Sequence, residues 1–249
     1  MNLSAFVLPR HESVVLFVSI LVVVMSAGVA GIHIARRSVD RTVAFAMTLV
    51  IWMAATGTYV ALGVPGESVG GLMGFFAVSN LGAVVLALSP VGRWWAAGLP
   101  LSALVAFQGF RLPLELVLHW WVADGTILAT MTWSGSNVDV ISGVVAILAA
   151  PWARHRSIAW FVNIVGMVLL ANVARVAVLS SPVPFGWGVS PPLTLAMHLP
   201  YAWIVPICVA GALCGHIVLT RALLTRSDDM PRQRSSSDSR IRERERSVN

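Results

Sequence analysis

Lysine is absent from this chain, and all 17 of its basic side chains are arginine. Charged residues are also scarce, because they make up 11% of the 249 residues, whereas 57% are hydrophobic. Soluble domains average about 25% charged and about 45–50% apolar residues, so this chain has too little polar surface to cover a water-soluble globule of its size. We therefore expect a protein that is solvated by lipid. The lack of lysine also excludes any reaction that needs a lysine Schiff base.

Cysteine is nearly absent too. The two that occur, Cys208 and Cys214, lie in one apolar run, where a helix places them on different turns. This excludes a disulfide between them and a zinc site built of thiolates. His119 and His198 fall near predicted membrane interfaces, where we expect ordinary hydrogen bonding rather than metal or haem ligation. No metal, haem or other cofactor is expected.

Long apolar runs fill most of the chain. A membrane-spanning helix needs about 20 mostly apolar residues, and these runs are continuous, unlike the alternating strands of a membrane β-barrel. We predict an all-α, polytopic transmembrane helix bundle with about seven spanning helices. The first run is too long for a cleavable signal, so we expect it to stay attached. The runs lie near residues 14–35, 43–63, 69–89, 95–121, 138–152, 158–180 and 199–221.

The arginines between the runs predict the orientation, because positive charge accumulates in the cytoplasmic loops of membrane proteins. Every second connection carries arginine, and the connections between those carry Glu67 and Asp124 but no arginine. This pattern places the N-terminus outside and the C-terminus in the cytoplasm. Arginines in short loops do not form the basic face that a nucleic-acid partner would need. The loop arginines are Arg36, Arg37, Arg41, Arg93, Arg154, Arg156 and Arg221.

Two parts of the chain differ in composition. Residues 1–225 are the predicted transmembrane helical domain, whereas residues 226–249 mix arginine, acid and serine with almost no apolar side chains. The latter cannot bury enough surface to offset the entropy of ordering, so we expect a disordered, basic cytoplasmic tail. The arginine-only usage is typical of the coding bias of a GC-rich bacterium. We therefore expect a multi-pass protein of the bacterial inner (cytoplasmic) membrane.

Polar residues within the fourth run are the first functional signal. Gln108, Arg111, Glu115 and His119 fall within roughly an 80° arc of a helix. Ionisable groups inside spanning segments are costly and normally face a bundle interior or a water-filled cavity. Arg111 and Glu115 stand at i,i+4, a spacing at which the guanidinium can reach the carboxylate.

Further polar residues are predicted at a similar depth in the next runs. Asn137 or Ser136 is a candidate N-cap of the fifth helix, and Asp139 lies in its first turn. Asn172 and Arg175 share one side of the sixth helix at i,i+3. Because the fifth and sixth helices are antiparallel, we predict that Arg175 pairs with Asp139. His198, at the end of a proline-rich loop over residues 181–198, joins the same outer layer.

These nine side chains indicate an outward-facing polar pocket. We expect it to bind a small polar or anionic ligand, or a membrane protein partner, with transport as a variant of that function. One alternative is a membrane hydrolase or transpeptidase with Ser134 as nucleophile and His119 or His198 as base. Another is a structural or assembly subunit of a membrane complex, in which the ion pairs only fix the helix register.

Three stretches carry a resemblance to known proteins. QGFRLPLELVLHWW (108–121), TWSGSNVDVISG (132–143) and LLANVARVAVLSSPVPF (169–185) resemble a family of bacterial multi-pass membrane proteins without an assigned function. The likeness covers about the C-terminal half of the chain. It implies that the distinctive positions are Gln108, Arg111, Glu115, Asn137 and Asp139, and it implies no reaction.

A weaker resemblance is to the exosortases, which are membrane transpeptidases. Ser134-Gly135, Asn172-x-x-Arg175 and His198 follow the order of the exosortase motifs. The nucleophilic cysteine of that family is missing, because Trp133 and Ser134 stand in its place. Without a thiolate the family's mechanism is lost unless a serine with a nearby base replaces it.

Overall fold

The computed structural model describes residues 6–225, and these form helices joined by turns and loops. The predicted tail, 226–249, lies outside the described residues. Within residues 6–225, six helices are long and apolar enough to cross a membrane, and this part of the chain is an all-helical, multi-pass membrane bundle. These six are α1 (His11–Arg36), α2 (Val39–Ala61), α4 (Val69–Leu88), α6 (Leu101–Ala123), α8 (Arg156–Ser180) and α9 (Tyr201–Thr225). The shorter helices are α3 (Val64–Glu67), α5 (Pro90–Gly98) and α7 (Val140–Trp152).

The predicted fourth run, 95–121, does not form one helix. It is divided between α5 and α6, and Leu99 between them has an extended backbone with φ −103° and ψ 143°. A residue that precedes proline is sterically excluded from the helical region, and Pro100 follows Leu99. The tryptophan-rich start of the run therefore belongs to α5, and the membrane span begins at Leu101.

The fifth run forms a helix that is shorter than a normal span. α7 has ten α-helical residues followed by a three-residue 3-10 turn, a length of about 20 Å. The hydrocarbon core of a bilayer is about 30 Å thick. In the described part of the chain the structure therefore supports six full-length spans and one short apolar helix.

Helix α7 packs antiparallel against α6 and begins half-way along it. Gly109 lies against Ile147, and Gly143 lies against Leu112. A Cβ added at Gly143 would lie 2.8 Å from Cα of Leu112, so the contact between the helices depends on glycine at this position. Residues 124–139 must therefore run from the end of α6 back into the bundle before α7 starts.

The two ends of the bundle differ in charge. At one end, which we call the arginine end, Gly98 of α5 packs on Ala35 of α1. Arg221 donates to the carbonyl of Ser89 at 3.2 Å and Arg156 donates to that of Leu223 at 2.6 Å, so α4, α8 and α9 meet there too. The other end, which we call the loop end, carries residues 181–198. Leu195 and Ala196 of this loop are buried in the core.

Candidate functional site

Arg111 lies at a local change in the geometry of α6. A 3-10 turn over Gln108–Phe110 precedes it, and Pro113 follows it. Pro113 has no N–H to donate to the carbonyl of Gly109, so the regular helical ladder is interrupted here. The Arg111 side chain points into the bundle and is 2% exposed.

Arg111 and Asp139 form a bidentate ion pair between α6 and the start of α7. Arg111 Nε donates to Asp139 Oδ2 at 2.7 Å, and Arg111 Nη2 donates to Oδ1. Ser142 Oγ donates to the same Oδ1 at 2.9 Å. Both charges are buried, so this pair neutralises an arginine that the apolar interior would otherwise strongly disfavour.

The third nitrogen of Arg111 extends the cluster to α8 and α9. Nη1 lies 3.1 Å from the carbonyl oxygen of Gly166 and 3.1 Å from Nε2 of His216. Because the guanidinium only donates, Nε2 of His216 must accept, and the ring proton lies on Nδ1. Nδ1 donates to Oδ1 of Asn163 at 2.9 Å, and Asn163 in turn donates to Thr220 at 2.7 Å.

Gly166 makes this crossing of α8 and α9 possible. A Cβ at this position would lie 2.7 Å from Nε2 of His216 and 3.5 Å from Nη1 of Arg111. A larger residue would therefore collide with the ring and displace it from the guanidinium.

Glu115 lies one turn above Arg111 on α6. Asn137 Nδ2 donates to Glu115 Oε1 at 2.9 Å and to the carbonyl of Met131 at 3.0 Å, and its Oδ1 accepts from the backbone N–H of Asp139 at 3.1 Å. Glu115 Oε2 is buried, and within residues 6–225 it has no hydrogen-bond partner. An unsatisfied acceptor of this kind is rare in a folded interior, and this oxygen is available to a hydrogen-bond donor.

A cavity of about 50 Å³ adjoins this cluster. Of the nine predicted site residues, Arg111, Glu115 and Asp139 line it, and the rest of its wall is mostly apolar. Ser181 and Leu195 contribute to its wall, so the cavity reaches the loop end of the bundle. α9 is π-helical beside it, over Ile204–Val209. Segments of this kind often lie at functional sites.

The predicted pair of Arg175 with Asp139 is wrong. Asp139 binds Arg111, whereas Arg175 is exposed, donates to Oδ1 of Asn172 at 2.8 Å and lies over the ring of Trp187 at 5.5 Å. Asn172 Nδ2 donates to the carbonyl of Ser136 at 2.8 Å. The predicted contact of Arg111 with Glu115 is not an ion pair either, although both side chains line the same cavity.

The predicted N-cap of α7 also differs. The N-cap residue is Asp139, and its side chain makes no capping hydrogen bond. It is held by Arg111 instead, while Asn137 bonds to the backbone of Asp139 from two residues upstream. The charged hydrogen bonds of Asp139 with Arg111 are therefore favoured over a capping bond to the backbone of α7.

The remaining predicted site residues lie apart from the buried cluster. Gln108 is buried one turn below Arg111 and donates to the carbonyl of Ala212 at 3.3 Å. His119 stacks on Trp133 with ring centroids 4.4 Å apart, and His198 stacks on Phe6 at 4.1 Å. Burial lowers the pKa of His198, which favours the neutral ring. Among residues 6–225 no group of three His, Cys, Asp or Glu side chains is arranged to hold a metal ion.

Ser134, the candidate nucleophile, is bonded to a hydroxyl. Its Oγ lies 2.8 Å from Oγ1 of Thr132, and His119 stacks on the neighbouring Trp133. The partner of Ser134 is therefore a group that does not act as a general base at neutral pH.

No protein-family model, curated protein or solved structure matches the chain. The chemistry of the buried cluster therefore carries the functional proposal.

The cluster also includes residues outside the nine predicted site residues. His216, Asn163 and Ser142 complete the surroundings of the ion pair. His216 could have been found from the rule that selected Arg111, because it is an ionisable residue within an apolar run. Ser142 and Asn163 carried no comparable signal, since small polar residues are common between packed membrane helices.

Proposed function

We propose that this protein binds a small polar ligand, with a hydrogen-bond donor or a positive charge, at Glu115 in the interior of the bundle. The observation that carries the proposal is the buried Oε2 of Glu115, which has no partner within residues 6–225. It borders a cavity that also contains the Arg111–Asp139 ion pair. A buried acceptor of this kind is costly unless a ligand, water or proton satisfies it.

A ligand that donates a hydrogen bond fits this site better than the anionic ligand expected from the sequence. Each of the three nitrogens of Arg111 already has a protein partner, and Asp139 neutralises its charge. Glu115 is the remaining carboxylate beside the cavity. A ligand that donates to it would complete the hydrogen bonding, whereas an anion would lie against an unpaired acceptor.

The cavity volume limits the size of the ligand. About 50 Å³ has room for about three to five water-sized groups. A methylammonium ion or a small alcohol matches this size, whereas sugars and nucleotides are far too large. Water molecules in the cavity have the same donor chemistry as such a ligand.

The proposed setting is a seven-crossing protein of the bacterial inner membrane with the N-terminus outside. Two observations support it. Helix α7 packs antiparallel to α6, so α7 together with the preceding residues 124–139 is suited to cross the membrane in the return direction. The concentration of arginine at one end of the bundle suits a cytoplasmic face. The cavity would then open towards the outside.

Topology can be tested with two matched acidic positions. Glu67 is the last residue of α3 at the loop end, and Asp40 lies in the first turn of α2 at the arginine end, so the two variants are Glu67→Cys and Asp40→Cys. In intact bacterial cells a membrane-impermeant maleimide should label the first variant but not the second. Labelling of the second alone would reverse the proposed orientation.

Ligand binding can be tested by thermal unfolding of the purified full chain with methylammonium, tetramethylammonium and formate. A ligand that binds the folded state at 100 times its Kd stabilises it by about 2.7 kcal/mol. Methylammonium should raise the Tm, whereas the oversized tetramethylammonium and the anion formate should not. Glu115→Gln should abolish the shift, while the exposed control Glu12→Gln should retain it.

Two outcomes would contradict the donor proposal. One is stabilisation by formate that disappears in Arg175→Gln, which would favour an anion site at the protein surface. The other is the absence of any methylammonium shift in the wild type together with a large loss of Tm in Glu115→Gln. That pattern would assign Glu115 to a structural or assembly role.

A further inference from the structure

A second cavity lies in the half of the bundle near the arginine end. It measures about 690 Å³ and is lined by α1, α2, α4, α5, α6 and α9. Its wall is almost wholly apolar. It does not share the Arg111–Asp139–Glu115 cluster, and its volume falls in the range of about 300–1,000 Å³ that is typical of ligand sites.

Two buried polar groups in this wall have no partner within residues 6–225. Nε1 of Trp95 is one, although the residue is only 8% exposed, and Oγ of Ser79 is the other, at 2% exposure. A Cβ at Gly31 would lie 2.8 Å from Nε1 of Trp95, so the indole N–H faces a position without a side chain. An apolar ligand that also carries a hydrogen-bond acceptor would fill the cleft and pair with these groups.

Positive charge is concentrated beside Trp95. The guanidinium carbons of Arg36 and Arg41 lie 4.9 Å and 5.0 Å from the centre of the Trp94 ring. Both arginines are exposed, and the ion pairs of the described residues are made by other side chains. Asp40, the neighbouring acid, is exposed at the start of α2. Two unpaired guanidinium groups at the edge of an apolar cleft are complementary to an anionic headgroup above acyl chains.

We propose that this cleft binds an anionic glycerophospholipid. Its acyl chains occupy the apolar cavity, an ester carbonyl accepts from Nε1 of Trp95, and its phosphate lies between Arg36 and Arg41. Exposed cleft residues such as Val23 and Ile34 let the lipid enter sideways from the bilayer. The site does not depend on the function proposed for Glu115.

Native mass spectrometry of the full chain in detergent tests the proposal. Dioleoyl-phosphatidylglycerol and dioleoyl-phosphatidylcholine are added in turn at equal concentrations. Each arginine near a headgroup with net negative charge contributes about a fivefold preference, so with two arginines the anionic lipid should be retained on the order of 25-fold more. Arg36→Gln/Arg41→Gln should remove this preference, while Arg10→Gln/Arg175→Gln at the loop end makes the same change in net charge and should keep it.

The cleft itself is tested by filling it. Ala103 is exposed and lines the cleft, so Ala103→Trp should reduce retention of both lipids severalfold. Ala171→Trp adds the same side chain to the exposed face of α8 and should change nothing. Trp95→Phe keeps an aromatic ring but removes the donor, and it should weaken retention of both lipids, because both carry the ester carbonyl.

Three results would overturn the proposal. The first is equal retention of the two lipids by the wild type. The second is unchanged retention of both lipids in Ala103→Trp, when tryptophan fluorescence shows that the variant unfolds at the same temperature as the wild type. The third is a lipid-free dimer that Ala103→Trp dissociates, which would assign the cleft to a second copy of the chain.

Discussion

Arg111 of α6 and Asp139 at the start of α7 hold each other through two parallel hydrogen bonds in the interior of the bundle. The side chains are 2% and 7% exposed, so neither charge has access to bulk solvent. Removal of one partner leaves the other buried and uncompensated, which costs more than the pair contributes when both are present.

Asp139→Asn is therefore expected to destabilise the protein by about 3–5 kcal/mol. Denaturation of the purified protein by sodium dodecyl sulfate measures this loss. The control is the pair of Arg10 with Asp124, where the Arg10 side chain is 62% exposed. Arg10→Gln should cost less than about 1 kcal/mol. Equal losses in the two variants would contradict a special role for the buried pair.

Gly166→Ala is expected to destabilise the contact between α8 and α9 by about 1–3 kcal/mol, because the added methyl meets the ring of His216. Gly74→Ala on α4 is the control, since its Cβ would meet only Tyr59 at 3.9 Å. The loss should be smaller when Gly166→Ala is introduced into His216→Ala. A purely additive double variant would contradict a clash with the ring.

Asn137→Asp should be poorly tolerated. The variant loses the amide group that donates to Glu115 and Met131, and it places a second carboxylate against Glu115. We expect a loss of about 3–5 kcal/mol and a reduced yield of monodisperse protein on size exclusion. Asn172→Asp makes the same change at a half-buried position beside Arg175 and should have little effect. A comparable yield for the two variants would argue against the buried contact.

Acid should lower the stability of the folded protein through His198 at the loop end. Burial lowers its pKa in the folded protein, so below its ordinary value of about 6.5 the unfolded chain binds the proton more readily. Stability is therefore retained above that pH and falls as the pH drops below it. His198→Phe, which preserves stacking on Phe6, should reduce the fall in Tm between pH 7.5 and 5. The exposed control His155→Phe should leave it unchanged.

Much of the fold follows from hydrophobicity alone. Composition and run length predicted the helical membrane bundle, and five of the runs lie close to α1, α2, α4, α8 and α9. The boundary at Pro100 was missed because residues on both sides of it are apolar, so a hydropathy pattern does not register the break. The shortness of α7 was predicted, but not its packing against the middle of α6.

The site was predicted less completely, and the reason is geometric. Helical periodicity correctly grouped Arg111 with Glu115 on one face of α6, because both face the same cavity. It could not predict the path of residues 124–139, which have no regular period and bring Asp139 to Arg111. Depth alone also made Arg175 a candidate partner of Asp139, although it lies on the exposed side of α8.

The length of α7 has a consequence for biogenesis. A helix of about 20 Å is too short to span a hydrocarbon core of about 30 Å by itself. The segment before it also places the polar side chains of Asn137 and Asp139 in the interior of the bundle. These groups find their partners on α6, which is synthesised earlier. We therefore expect α6 and α7 to enter the membrane together as one hairpin, in which α6 supplies the polar contacts of the segment that precedes α7.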